Sequence, residues 1–155
     1  KFHESVKLEG NAAVNGNSLT LAGLPGVIIT VNSQTELKGG GNPITLNDLD
    51  GNHVRVRGRV SGTSSVIATR IELQSPGNDD VDIQGPVQSV SGQVLTILGV
   101  TINTSALNDD DFEGLNDQII GRAAFFNAVE EGTLVQVQGR LTGSIVTWRE
   151  AELED

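Results

Sequence analysis

The chain reads as an all-β protein made of two tandem small five-stranded β-barrels, and three observations carry that reading. The first is repetition: the segment from Val54 to Gly62, VRVRGRVSG, returns from Val135 to Gly143 as VQVQGRLTG. Upstream, Val14, Gly16, Leu19 and Leu21 return as Val90, Gly92, Leu95 and Ile97. Solenoid repeats are shorter and cannot stand alone, so self-similarity at this spacing means two copies of a domain. The second is composition, with 37% apolar residues but only 3% aromatic and 19 glycines, which suits barrels with tight turns better than helical bundles. The third is alternation of apolar and polar residues with a period of two.

Val6, Leu8, Gly10, Ala12 and Val14 share one parity while Lys7, Glu9 and Asn11 take the other, so this stretch is predicted as a half-buried first strand. Asn15-Gly16 offers a turn with positive φ, after which Leu19 and Leu21 resume the apolar face. Residues 27–31 form the predicted third strand. In the fourth, Val54, Val56 and Val60 are expected to face inward and Arg55, Arg57 and Arg59 outward, with Gly58 marking a bulge or corner. Ile67, Ile71 and Leu73 complete a fifth strand. Copy two repeats the plan with strands over 81–90, 93–98, 100–103, 134–141 and 145–153.

Five strands with a longer connection between the third and fourth are the plan of an OB-type barrel. In copy one that connection is broken up by Gly39, Gly40, Gly41 and Pro43 and is expected to be irregular. In copy two, residues 122–131 carry Phe125 and Val129 at i and i+4 and stop at Gly132, which predicts one short helix. The domain reading is copy one over 1–75, a linker over 76–80 and copy two over 81–155.

These residues resemble a known family. Gly85, Val87, Val90, Gly92, Ile97, Val100 and Ile102, then Gly132, Val135, Val137, Gly139 and Glu152-Leu153, are similar to an OB-like domain of unknown function. That domain recurs, often in tandem, in secreted and envelope proteins of bacteria. Copy one fits through Gly16, Val31, Leu49, Gly51, Val54, Val56, Gly58, Ala68, Ile71 and Glu72. The resemblance implies a bacterial source and a periplasmic, cell-envelope or extracellular location, and it brings no activity with it.

Several chemistries are excluded or weakened. Without Cys there are no disulfides, thiolate zinc sites or cysteine nucleophiles. No apolar run reaches the roughly 18 residues that span a bilayer as a helix. With no Met, the chain is expected to be a mature or trimmed fragment. The two histidines, His3 near the start and His53 beside the fourth strand, fit no catalytic signature, so no catalytic residue and no enzyme activity are expected. His53 is read as a polar residue flanking a strand.

Charge is uneven. Through Ser75 there are seven Lys or Arg against six Asp or Glu; beyond it there are three against fourteen, giving net charges of +1 and −11. The acidic half argues against nucleic acid as a partner, because such affinity rests on cations replacing counterions. The expected partner is a protein or envelope component. No cofactor is expected, since adjacent acids in loops are usually solvated charge; the one candidate is calcium, which needs six to eight oxygens, at Asp109, Asp110, Asp111 and Glu113. Asn78, Asp79, Asp80 and Asp82, in and just after the linker, form a second such cluster. The alternative site is Arg55, Arg57 and Arg59, which period-two spacing puts on one outer face, where OB barrels bind oligonucleotides or other polyanions. Direct docking of the two copies would bring acids to screen these arginines.

Overall fold

The computed structural model describes residues 5–40 and 44–155. His3 therefore lies outside the described residues. Copy one contains β1 (Val6–Asn15), β2 (Ser18–Leu21), β3 (Leu24–Thr30), β4 (Glu36–Lys38), β5 (His53–Val60) and β6 (Ser65–Leu73). Copy two contains β7 (Asp80–Ser91), β8 (Val94–Ile97), β9 (Val100–Asn103), β10 (Phe112–Glu113), α1 (Gly121–Ala128), β11 (Leu134–Thr142) and β12 (Ile145–Leu153). Each copy thus has a sixth strand that the alternation did not predict. β4 and β10 are two or three residues long, too short for a period to register, and both pair in parallel with the last strand of their copy.

All the strands belong to one mixed sheet. In copy one the ladders run from β1 to β2, β3, β6, β5 and back to β1. In copy two the equivalent course is interrupted. β7 pairs with β8 and β11, β8 with β9, and β11 with β12, but among the described residues β9 has no ladder partner besides β8. Copy one fills the corresponding place with the parallel β3–β6 pairing at Ile28–Ser65, Ile29–Val66 and Thr30–Ile67.

The copies are joined by an antiparallel ladder between β1 and β7, with Leu8 opposite Ile83, Lys7 opposite Gln84 and Glu9 opposite Asp82. From Ala12 to Asn15 this edge of β1 pairs with β2; from Lys7 to Glu9, β7 takes the place. Because the two first strands pair antiparallel, the copies are related by a pseudo-twofold axis near Leu8 and Ile83. The β2–β3 turn of copy one also packs into copy two: a Cβ on Gly23 would lie 2.7 Å from Val146 and 3.2 Å from Val81.

Burial follows the predicted parity. Val54, Val56, Val135 and Val137 are buried, while Arg55 and Arg57 are exposed. Val60 departs from the expected inward set: at the last position of β5 it is 43% exposed, past the rim of the core. Gly58 and Gly139 sit at matching irregularities in the β5–β6 and β11–β12 ladders. A Cβ there would lie 2.4 Å from the Ile67 carbonyl oxygen and 2.6 Å from that of Thr147, so only glycine lets the neighbouring backbones approach.

The predicted helix over 122–131 is α1, one residue earlier at its start and three shorter at its end, where Val129 leaves the helical conformation. Phe125 is fully buried and stacks against Phe112 and Phe126 with ring centroids 5.0 and 5.2 Å away. Arg122 ties the helix to the preceding loop. Its guanidinium donates to Thr104 Oγ1 and to the Thr104 and Leu107 carbonyls, and lies over the Phe112 ring. Among the described residues copy one has only a short 3₁₀ turn, Leu46–Leu49, in the equivalent connection.

Candidate functional site

Strand register assembles one outer face that no local stretch of sequence reveals. Residues directly opposite in paired strands point to the same side of the sheet. The ladders therefore align one row of side chains, Glu36, Arg70, Arg57, Lys7, Gln84, Gln136, Glu152 and Glu113, across eight strands. Beside it runs a second: Lys38, Glu72, Arg55, Glu9, Asp82, Gln138 and Glu150. The pseudo-twofold matches Lys7, Arg55, Arg57, Arg70 and Lys38 of copy one with Asp82, Gln136, Gln138, Glu150 and Glu113 of copy two. Every cation of this face in copy one is thus replaced by an amide or an acid in copy two, so the face is cationic at one end and acidic at the other.

The arginine cluster differs from the expected one. Arg59 lies past the Gly58 irregularity, opposite Ile67, and is half-buried. Its place beside Arg55 and Arg57 is taken by Arg70, directly opposite Arg57, and with Glu72 these line a cavity of about 120 Å³. Arg55 Nε donates to Glu9 Oε1 at 3.0 Å. Arg70 makes longer ion pairs with Glu72 and Glu36, at 3.4 and 3.7 Å. Among the described residues the Arg57 guanidinium has neither a hydrogen bond nor an ion pair. The acids nearest the arginines belong mainly to copy one; copy two contributes Asp82 at the seam.

At that seam lies a buried polar network. His53 is the first residue of β5 and 3% exposed, so it is not a solvated flanking residue. Its Nε2 lies 2.8 Å from Glu9 Oε2 and its Nδ1 2.9 Å from Asn11 Oδ1. Burial, then the charges of Glu9 and Asp80, push the Asp82 carboxyl up to about 7, against a smaller opposing pull from Arg55.

The acids proposed for calcium do not converge. Asp109, Asp110 and Asp111 form a 3₁₀ turn. There Asp111 Oδ2 accepts the Asn108 N–H and Asp109 Oδ1 the Arg122 N–H, so two of these carboxylates hold the backbone that leads into α1. Glu113 instead joins Asp117 and Glu152, with one carboxylate oxygen from each lying within 4.8 Å of the others, close enough to share a divalent cation. Burial and hydrogen bonds with Asp117 and Glu154 push Glu152 up to about 8, and burial followed by Glu113 raises Glu150. The sequence signal for this group was faint, since it depends on the two-residue β10 and on positive φ at Asn116 and Asp117.

All three shifts are upward, which sets the sign of a pH effect. The folded chain keeps protons that the unfolded chain releases above its ordinary carboxyl range, so stability falls as pH rises through about 7 to 8. Thermal melts from pH 5 to 9 should show a falling Tm, and Asp82→Asn combined with Glu152→Gln should flatten the fall. A wild-type Tm that rises over this range would contradict the assignment.

A third feature is a cleft of about 710 Å³ where β9 and β12 part, lined by Thr20–Gly26, Gly99–Thr101, Ser144, Val146 and Trp148, the sole tryptophan. Among the described residues the outer edge of β9 and the edge of β12 over 145–150 that faces away from β11 carry no ladder there.

With this geometry in view, the comparisons are specific on one point. The chain matches the family described as "Domain of unknown function (DUF5666)" twice in tandem, over residues 12–72 and 84–147. The chain belongs to this family. The two DUF5666 matches coincide with the two halves related by the pseudo-twofold, and the gap between them contains the β6–β7 connection and the first residues of β7. Searches among curated proteins and among solved structures give no match. No helix among the described residues is long and apolar enough to cross a membrane.

Proposed function

We propose that the chain is an exported, non-enzymatic pair of OB-type barrels that serves as a protein-interaction unit of a bacterial envelope protein or lipoprotein. In this reading a partner adds an extended segment to the open place in copy two. The observation that carries the reading is the cleft between β9 and β12, with strand edges unpaired where copy one has a parallel ladder. Unpaired edges present backbone donors and acceptors that template pairing with another chain, and strand addition uses them for affinity while side-chain pockets set specificity. The test is a photo-crosslinker at Thr101 or Ser144 in cells of the native source. Covalent capture of one polypeptide from these positions, and none from exposed Ala13, supports strand addition; equal capture from all three overturns it. Protease accessibility of the protein in intact cells tests export, and protection alongside a cytoplasmic marker would overturn that part.

A second reading, oligonucleotide or polyanion binding through the arginine face, is favoured by the absence of an ion pair at Arg57 among the described residues. Salt-sensitive binding of labelled single-stranded DNA that is lost when Arg55 and Arg57 are changed to Gln would promote it over strand addition.

A further inference from the structure

From the outer face of copy one we infer a binding site for a single doubly charged oxyanion, a phosphoryl or sulfate group, formed by Arg55, Arg57 and Arg70 with Lys7 alongside. The inference is independent of strand addition, whose cleft is lined by none of these residues. Lys7 is opposite Arg57 and Arg57 is opposite Arg70, so three cations stand side by side across β1, β5 and β6. Like charges directly opposite in a sheet oppose one another, and a bridging anion reverses the sign of that interaction. Copy two avoids the conflict at the same three positions with Asp82, Gln138 and Glu150. The shared fold therefore does not require the cations.

The local chemistry suits an oxyanion. Guanidinium groups present planar forks of N–H donors matched to phosphate and carboxylate oxygens, and Arg57 has this fork unoccupied among the described residues. The cavity of about 120 Å³ between Arg55, Arg57, Arg70 and Glu72 has room for one such group. Glu72 does not fill it: its Oε1 accepts from Gln74 and its Oε2 from Arg70, both at 3.4 Å. Counting the aligned residues of copy one, the cations Lys7, Lys38, Arg55, Arg57 and Arg70 exceed the acids Glu9, Glu36 and Glu72 by two, which is the charge of a dianion.

The experiment titrates the whole chain with inorganic phosphate, sulfate, acetate and chloride at matched ionic strength, following the arginine Nε–H and backbone signals by NMR. Phosphate and sulfate should give saturable shifts centred on Arg57 and Arg70, with a dissociation constant on the order of millimolar. Arg57→Gln, which installs the residue copy two carries at this position, should weaken phosphate binding about tenfold or more, and Arg70→Gln likewise. Lys38→Gln, on the same face but outside the cavity, should leave it unchanged, and unshifted core methyl signals confirm that each variant is folded. Shifts that never saturate, that appear equally with chloride or acetate, or that survive Arg57→Gln overturn the site. Capture by the crosslinker at Thr101 is unaffected by any of these results.

Discussion

Phe125→Ala is expected to destabilise the protein by about 3 to 5 kcal/mol, the range for deleting a buried aromatic ring. Phe125 is fully buried and is held by Phe112 and Phe126 at aromatic contact distances, so truncation removes transfer energy and leaves a cavity that two other rings would have to close. The ring also anchors α1 over the β10 region, because Phe112 begins β10 and carries Arg122 across its face. Loosening it should therefore weaken the Arg122 bonds to Thr104 and Leu107 as well. Urea unfolding of the whole chain measures the effect; a loss below about 1 kcal/mol would mean that the helix rides on the surface.

The second large effect is expected at Glu9, where alanine should cost about 3 kcal/mol, the upper end for orphaning a buried hydrogen-bonding group. Glu9 is 3% exposed and serves two donors at once, the His53 ring and Arg55. Arg55 is exposed enough to find water, but the side chain of His53 is 1% exposed and would keep a bare ring nitrogen in the core. Glu9→Gln should recover about half of the loss, because an amide keeps the volume and one oxygen acceptor. Glu9 also stands opposite Asp82 across the seam and helps to raise its carboxyl. The pH-dependent fall in Tm should therefore shrink in either variant. Destabilisation below about 1 kcal/mol, with the pH dependence unchanged, would show that the network is solvated.

Between copies, the same scaffold carries opposite chemistry. Lys7, Arg57 and Arg70 occupy positions that are Asp82, Gln138 and Glu150 in the other copy, yet the buried valines of β5 and β11 are identical. The open edge of β9 is a further divergence, since copy one satisfies the same strand with β6.

The ten longer strands, the duplication, the burial of Val54, Val56, Val135 and Val137 and the helix at Phe125 were legible in the chain alone, because each rests on local periodicity: two residues for a strand, four for a helix turn, and a repeat of the whole pattern. Arg55 and Arg57 were placed on the outer face for the same reason. What only the tertiary structure decided is everything that depends on register between distant strands. Arg70, thirteen residues from Arg57, becomes its neighbour through the β5–β6 ladder, while Arg59, two residues away, is turned aside at the Gly58 irregularity. Glu113 leaves its sequence neighbours Asp109 to Asp111 for Asp117 and Glu152, because those three form a 3₁₀ turn in which the Asp109 and Asp111 carboxylates hold the backbone. His53 and Glu9 are buried together only because β1 pairs with β5, and Asp82 reaches them only because β1 also pairs with β7. Alternation fixes which side of its own strand a residue takes; which strand lies next to it is set by how the whole sheet satisfies its backbone hydrogen bonds, and no local pattern encodes that.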